Sequence, residues 1–145
     1  MLLLVSCTTG STRPLAKQVL AEFLDALYYE KYDEAALLYG GSYDIMIEHN
    51  PAIDPNAHAA LLKNACTING AACLEVKGIT LESEVSDSEY IFKVEFMNED
   101  GTLFVQGPCC GGSEVDSPSQ SEFSFTVLKN IDGKFLVMNM PPYTP

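Results

Sequence analysis

The hydrophobic period of this chain changes once, and that change bounds what the chain can fold into. Between Ala16 and Ala65 apolar side chains recur at helical spacing, whereas from Cys73 onward they recur at every second position. A period of 3.6 buries one stripe of a helix, and a period of two buries one face of a strand. Helices that come first and strands that come second point to an α+β domain. The expected architecture is N-terminal helices packed on a curved antiparallel sheet of about five strands.

Ala16, Val19, Leu20, Phe23, Leu24, Leu27 and Tyr28 form the apolar stripe of a first helix, with Lys17, Gln18, Glu22 and Asp25 opposite. Thr12 before Pro14 marks its start. Asp33 is placed to cap a second helix that runs through Tyr39 and ends at Gly40–Gly41. Ser42 caps a further turn or two carrying Tyr43, Ile45, Met46 and Ile47, which Asn50–Pro51 stops. Asp54–Pro55 opens the last helix, whose buried stripe is Leu61, Leu62 and Ala65. Strands follow over 74–84, 89–97, 103–105 and 121–128, and from Phe135 to Met140 before Pro141–Pro142. Gly78 marks a bulge in the first of them. Asn98–Gly101 and Asn130–Gly133 read as hairpin turns, and residues 107–120, rich in Gly, Ser and Pro, as a long loop.

Of 145 residues, 47% are hydrophobic and 19% charged, which is a globular balance. Twenty acidic residues against eight basic ones leave a net charge of −12, with Arg13 the one arginine. Such a surface repels phosphate backbones, so nucleic acid is excluded as a partner. No apolar run approaches the ~20 residues that cross a bilayer.

The stretch Leu4-Val5-Ser6-Cys7 looks like a bacterial lipobox, an apolar run leading to a cysteine that receives lipid. Residues 8–12 are small, polar and uncharged, which suits a tether. Residues 1–12 are therefore expected to be the remnant of a lipoprotein signal and tether, and residues 13–145 a single domain. On this reading the protein is extracytoplasmic and touches the membrane only through lipid on Cys7. A working signal carries a basic segment and about 7–15 apolar residues, so the true start is expected upstream of Met1.

Cys66, Cys73, Cys109 and Cys110 would be oxidised in that compartment. They allow three complete pairings: one joins Cys66 to Cys73 across a short loop, and the other two tie that segment to Cys109 and Cys110. All three stay open, with the cross-linked arrangement preferred. The cysteines lack the spacing of a zinc site, and no basic residue near Cys109 and Cys110 favours a thiolate.

The opening helix ends in Ala26-Leu27-Tyr28-Tyr29, the second begins Tyr32-Asp33-Glu34-Ala35-Ala36, and the chain closes with Asp132-Gly133-Lys134-Phe135-Leu136-Val137 and a Pro-rich tail. In these features, over residues 13–140, the chain resembles the nuclear-transport-factor-two-like (cystatin-like) α+β cone of uncharacterised bacterial lipoproteins. The resemblance implies a cone whose open end admits a ligand, and homodimers through the sheet are possible for it. Enzymes of that superfamily keep an acid or base inside the cone. Tyr39, Tyr43 and Asp44 lie near the expected mouth, where a buried carboxylate would have a raised pKa suited to proton transfer.

Other chemistry finds little footing. His49 and His58 lack metal-ligand spacing, and the glycine runs at 40–41 and 111–112 match neither a nucleophile elbow nor a phosphate loop. Glu82, Glu84, Asp87 and Glu89 are dense enough for weak calcium binding but lack a dedicated loop, so a solvated turn is expected. Tyr90, Phe92, Phe96, Phe123 and Phe125, with Tyr39 and Tyr43, would line an apolar pocket if the helices left the sheet partly uncovered.

The expected function is thus non-catalytic binding of a small apolar molecule or an envelope protein, without cofactor or metal. One alternative is an isomerase or dehydratase using a pocket carboxylate. Another is a structural module of an envelope assembly, with an exposed apolar patch around Ile91, Met97, Leu136 and Met138 on the outer sheet face.

Overall fold

The change of period falls just before the first strand. The computed structural model describes residues 10–108, 113, 115 and 118–144. The lipobox with Cys7, and Cys109, Cys110, Gly111 and Gly112, lie outside the described residues. Four helices, α1 (Arg13–Tyr28), α2 (Tyr32–Leu38), α3 (Asp44–His49) and α4 (His58–Thr67), precede a 3₁₀ turn at Ile68–Gly70. Four strands follow: β1 (Glu75–Ser86), β2 (Glu89–Met97), β3 (Phe123–Lys129) and β4 (Phe135–Val137). They form one antiparallel sheet in sequence order.

α1 lies across all four strands, while α2 packs between α1 and α4. Ala16, Leu20, Phe23, Leu24 and Leu27 of α1 are buried against Phe92, Val94, Phe96, Phe125 and Val127 of β2 and β3. The alternation read along β2 holds without a break from Tyr90 to Phe96. β1 shifts register at Val76/Gly78, where the bulge was expected, and again at Leu81/Ser83 and Glu84/Ser86. Both hairpin turns form. Their Gly101 and Gly133 adopt φ of 80° and 79°, a backbone conformation that costs side chains about 1–2 kcal/mol.

Several local expectations are refined or shifted. Thr12 stands at the N-cap of α1, at the start read from the sequence, and its hydroxyl donates to the Asp87 carbonyl at 2.9 Å and lies 2.8 Å from the Tyr90 hydroxyl, tying the helix start to the β1–β2 turn. Asp33 sits in the first turn of α2 rather than before it. Asp54 accepts the Asn56 N–H at 2.9 Å, a local turn that delays α4 to His58. The segment 103–105 is no full strand: Leu103 bridges Met97, and the Phe104 N–H donates to the Phe96 carbonyl at 2.9 Å. β4 stops at Val137 because Asn139 replaces the main-chain ladder with its side chain. Its Oδ1 accepts the Thr126 N–H at 2.9 Å, and its Nδ2 donates to the Ser124 carbonyl at 3.1 Å.

The preferred disulfide arrangement is corrected. Cys66, at the end of α4, is bonded to Cys73, with Cα atoms 5.0 Å apart. The 3₁₀ turn at Ile68–Gly70 folds the chain back and brings the two together, so neither is left to pair with Cys109 or Cys110.

Gly40 and Gly41 do more than end a helix. Tyr39 bridges Val137 in parallel, and the Gly40 N–H donates to the Val137 carbonyl at 2.8 Å, so this segment covers the outer edge of β4. A Cβ on Gly40 would stand 2.8 Å from Leu136 Cβ, and one on Gly41 would overlap the Met138 carbonyl and the Tyr39 ring. Gly41→Ala is therefore expected to cost about 1–3 kcal/mol, seen as a lower urea midpoint at unchanged slope.

Candidate functional site

The glycine pair places Tyr39 and α3 beside the segment that leaves β4. Between them lies a cavity of about 370 Å³. Tyr39, Met46, Ala65, Met138 and Met140 line it, and Ile45, two-thirds exposed, stands at its rim. No residue of its lining carries a charge. Three of the five methionines face it, and unbranched thioether side chains adapt their shape to a ligand.

The polar side chains of the lining are already engaged. The Tyr39 hydroxyl donates to the Ser42 carbonyl at 3.1 Å, and the Ser42 hydroxyl accepts the Asp44 N–H at 3.0 Å. Thr144 donates to the Pro141 carbonyl at 2.7 Å, and both ends of the Asn139 amide are held by β3. The cavity thus presents hydrocarbon and sulfur with its main polar groups satisfied.

Of the two tyrosines expected at the mouth, only Tyr39 lines the cavity. Its ring stacks on Phe23 with centroids 5.7 Å apart, and burial raises its pKa. Tyr43 meets the Tyr39 ring edge-on at 5.0 Å and stacks on His58 at 4.0 Å. The Tyr43 hydroxyl is buried with no hydrogen-bond partner among the described residues. Burial, and secondarily Tyr39, push its pKa up to about 12. Asp44 is exposed, and no charged residue is buried among the described residues. The cavity therefore lacks the enclosed carboxylate that an isomerase or dehydratase reading requires.

The strand aromatics lie elsewhere. Tyr90, Phe92, Phe96, Phe123 and Phe125 are all buried in the core beneath α1, and none lines the cavity beside α3. Pairs such as Phe96 with Phe125, at 6.1 Å and 62°, fill the space that a ligand would need. Tyr143, unremarked in the sequence, closes the same core. It meets Phe96 at 5.1 Å and Phe104 at 5.3 Å, and its hydroxyl accepts the Leu74 N–H at 3.0 Å.

Neither His49 nor His58 joins a ligand set; among the described residues no group of His, Cys, Asp or Glu could hold a metal. Glu82 accepts the Ser124 hydroxyl at 2.7 Å, and its acidic neighbours are strung along β1, the following turn and the start of β2. On the outer sheet face Ile91, Met97, Leu136 and Met138 are half-buried. Lys93 and Glu95 interrupt them, bound to Glu122 at 3.5 Å and Lys77 at 3.8 Å.

The fold and its cavity define an α+β domain, with helices over an antiparallel sheet and an uncharged cavity where the helical layer meets the end of β4. Comparison with protein-family models, with curated proteins and with solved structures finds no match. No helix among the described residues is long and apolar enough to cross a membrane.

Proposed function

We propose that this protein is a lipid-anchored extracytoplasmic domain of the nuclear-transport-factor-two-like kind that binds a small apolar molecule, without catalysis, in the cavity beside α3. The observation that carries the reading is the cavity's lining: uncharged, rich in methionine, and with its polar side chains bonded within the chain. A charged or strongly polar ligand would lose water there and regain few hydrogen bonds. An apolar one gains about 25 cal/mol for each Å² it removes from water. The Cys66–Cys73 bond suits an oxidising compartment, in keeping with lipid on Cys7. The bulges along β1 suit a curved sheet, as the family likeness implies.

The neutral dye N-phenylnaphthylamine tests the binding. Its fluorescence is expected to rise saturably with one site per chain. Ile45→Asp places a carboxylate at the rim on an exposed position, so it should weaken the dye roughly tenfold or more while leaving the melting temperature unchanged. Absence of saturable binding, or an unchanged affinity in the variant, sinks the reading.

A further inference from the structure

Elsewhere on the helical layer, α1 and α2 border an open groove of about 400 Å³. Ala26 and Leu38 form part of its lining, and two large apolar side chains stand in water beside them: Leu37, 79% exposed, and Tyr29, 62% exposed. The fold does not account for Leu37. α2 has seven residues, and its contact with the core is made by Ala35, with Ala36 and Leu38 half-buried. A polar residue at position 37 would serve the helix equally well and would keep hydrocarbon out of water.

The charge around these side chains is one-sided. Glu22 and Asp25 of α1 and Glu34 of α2 border the groove, and Lys31 is the one cation in its lining, already paired with Glu34 at 3.7 Å. Three acids against one lysine leave a local excess of two negative charges.

We propose that this groove is a docking surface for a basic amphipathic helix of a partner protein. A channel between two helices takes the apolar face of a third, through anchors spaced at i, i+3 and i+4. Leucines of the partner fill the space between Leu37 and Tyr29, while its lysines or arginines meet the carboxylates of Glu22, Asp25 and Glu34. The exposed Tyr29 ring offers a face to one of those cations. The chain's net charge of −12 steers a basic partner toward the rim and repels anionic lipid surfaces. This surface is separate from the cavity beside α3, and the proposal does not depend on a ligand there.

The test uses the full chain and a fluorescein-labelled peptide of leucine and lysine, patterned as an amphipathic helix, with anisotropy as the readout. A scrambled peptide of the same composition controls for charge alone. Leu37→Asp is the decisive variant because it adds a further acid. Attraction by charge alone makes the variant bind the peptide more tightly, whereas docking on Leu37 makes it bind roughly tenfold more weakly. Glu22→Gln with Asp25→Asn should weaken binding and flatten its salt dependence between about 50 and about 300 mM. Ile45→Asp, in the other cavity, should leave peptide affinity unchanged. All three variants sit on the surface, and unaltered circular dichroism and melting temperature verify their folds. Equal binding of the scrambled peptide, or undiminished binding by Leu37→Asp, overturns the proposal.

Discussion

Phe96→Ala is expected to lower stability by about 3–5 kcal/mol, the range for truncating a buried phenylalanine. Phe96 is fully buried, and its ring contacts Phe123 at 6.0 Å, Phe125 at 6.1 Å and Tyr143 at 5.1 Å. None of these neighbours is free to collapse into the void, because β3 holds Phe123 and Phe125 and the C-terminal segment holds Tyr143. Urea denaturation measures the loss. The same variant separates the two places where an apolar ligand could sit. If ligands enter between helix and sheet, dye affinity will change with Phe96; if they occupy the cavity beside α3, the folded fraction of the variant will bind as the parent does.

Opening the Cys66–Cys73 disulfide is expected to cost about 2–3 kcal/mol on the loop-entropy estimate for so short a closure. For a domain of this size that lowers the melting temperature by roughly 5–10 °C. The double variant Cys66→Ala with Cys73→Ala reads the effect without burying new hydroxyls, since both positions are nearly inaccessible. Peptide mapping under non-reducing conditions should recover the Cys66–Cys73 linkage. A linkage from either residue to Cys109 or Cys110 would show that the loop is closed differently in the native chain.

Much of the layout was legible before any coordinates. The alternation Tyr90, Phe92, Val94, Phe96 and the stripe Leu20, Phe23, Leu24, Leu27 each define a buried face within one element, because side-chain direction repeats with the backbone. The hairpin turns were legible for the same reason: an Asn three residues before a Gly closes on itself, as the Gly133 N–H does on the Asn130 carbonyl at 3.0 Å, with the Lys134 N–H donating to the Asn130 Oδ1 at 2.9 Å. Some side-chain partners were not legible, for a cause of the opposite kind. Thr12 stands at the helix start read from the sequence, but its hydroxyl bonds across the fold to Asp87, and Asn139 looked like a strand residue but spends its amide on Ser124 and Thr126. Each has a polar side chain able to satisfy several partners, and neighbours distant in sequence supplied the one it took.

The aromatic strand residues were the most reasonable pocket lining from sequence, since a greasy face can be either a core or a cleft. What distinguishes the two is whether something covers the face, and α1 covers it from Ala16 to Leu27. The cavity that remains was not legible, being assembled from Tyr39, Met46, Ala65, Met138 and Met140. No local pattern unites those positions. They meet because two glycines let one segment lie flush against the edge of β4, a requirement visible only once Leu136 and Met138 are seen on the other side.

Sequence alone therefore determined the division into helices and strands and the face each turns inward, because both follow from spacing along one backbone. Tertiary structure alone decided which apolar faces close on each other and which leave room for a ligand. That outcome depends on close approach between segments about a hundred residues apart, where the presence or absence of a single Cβ sets the distance.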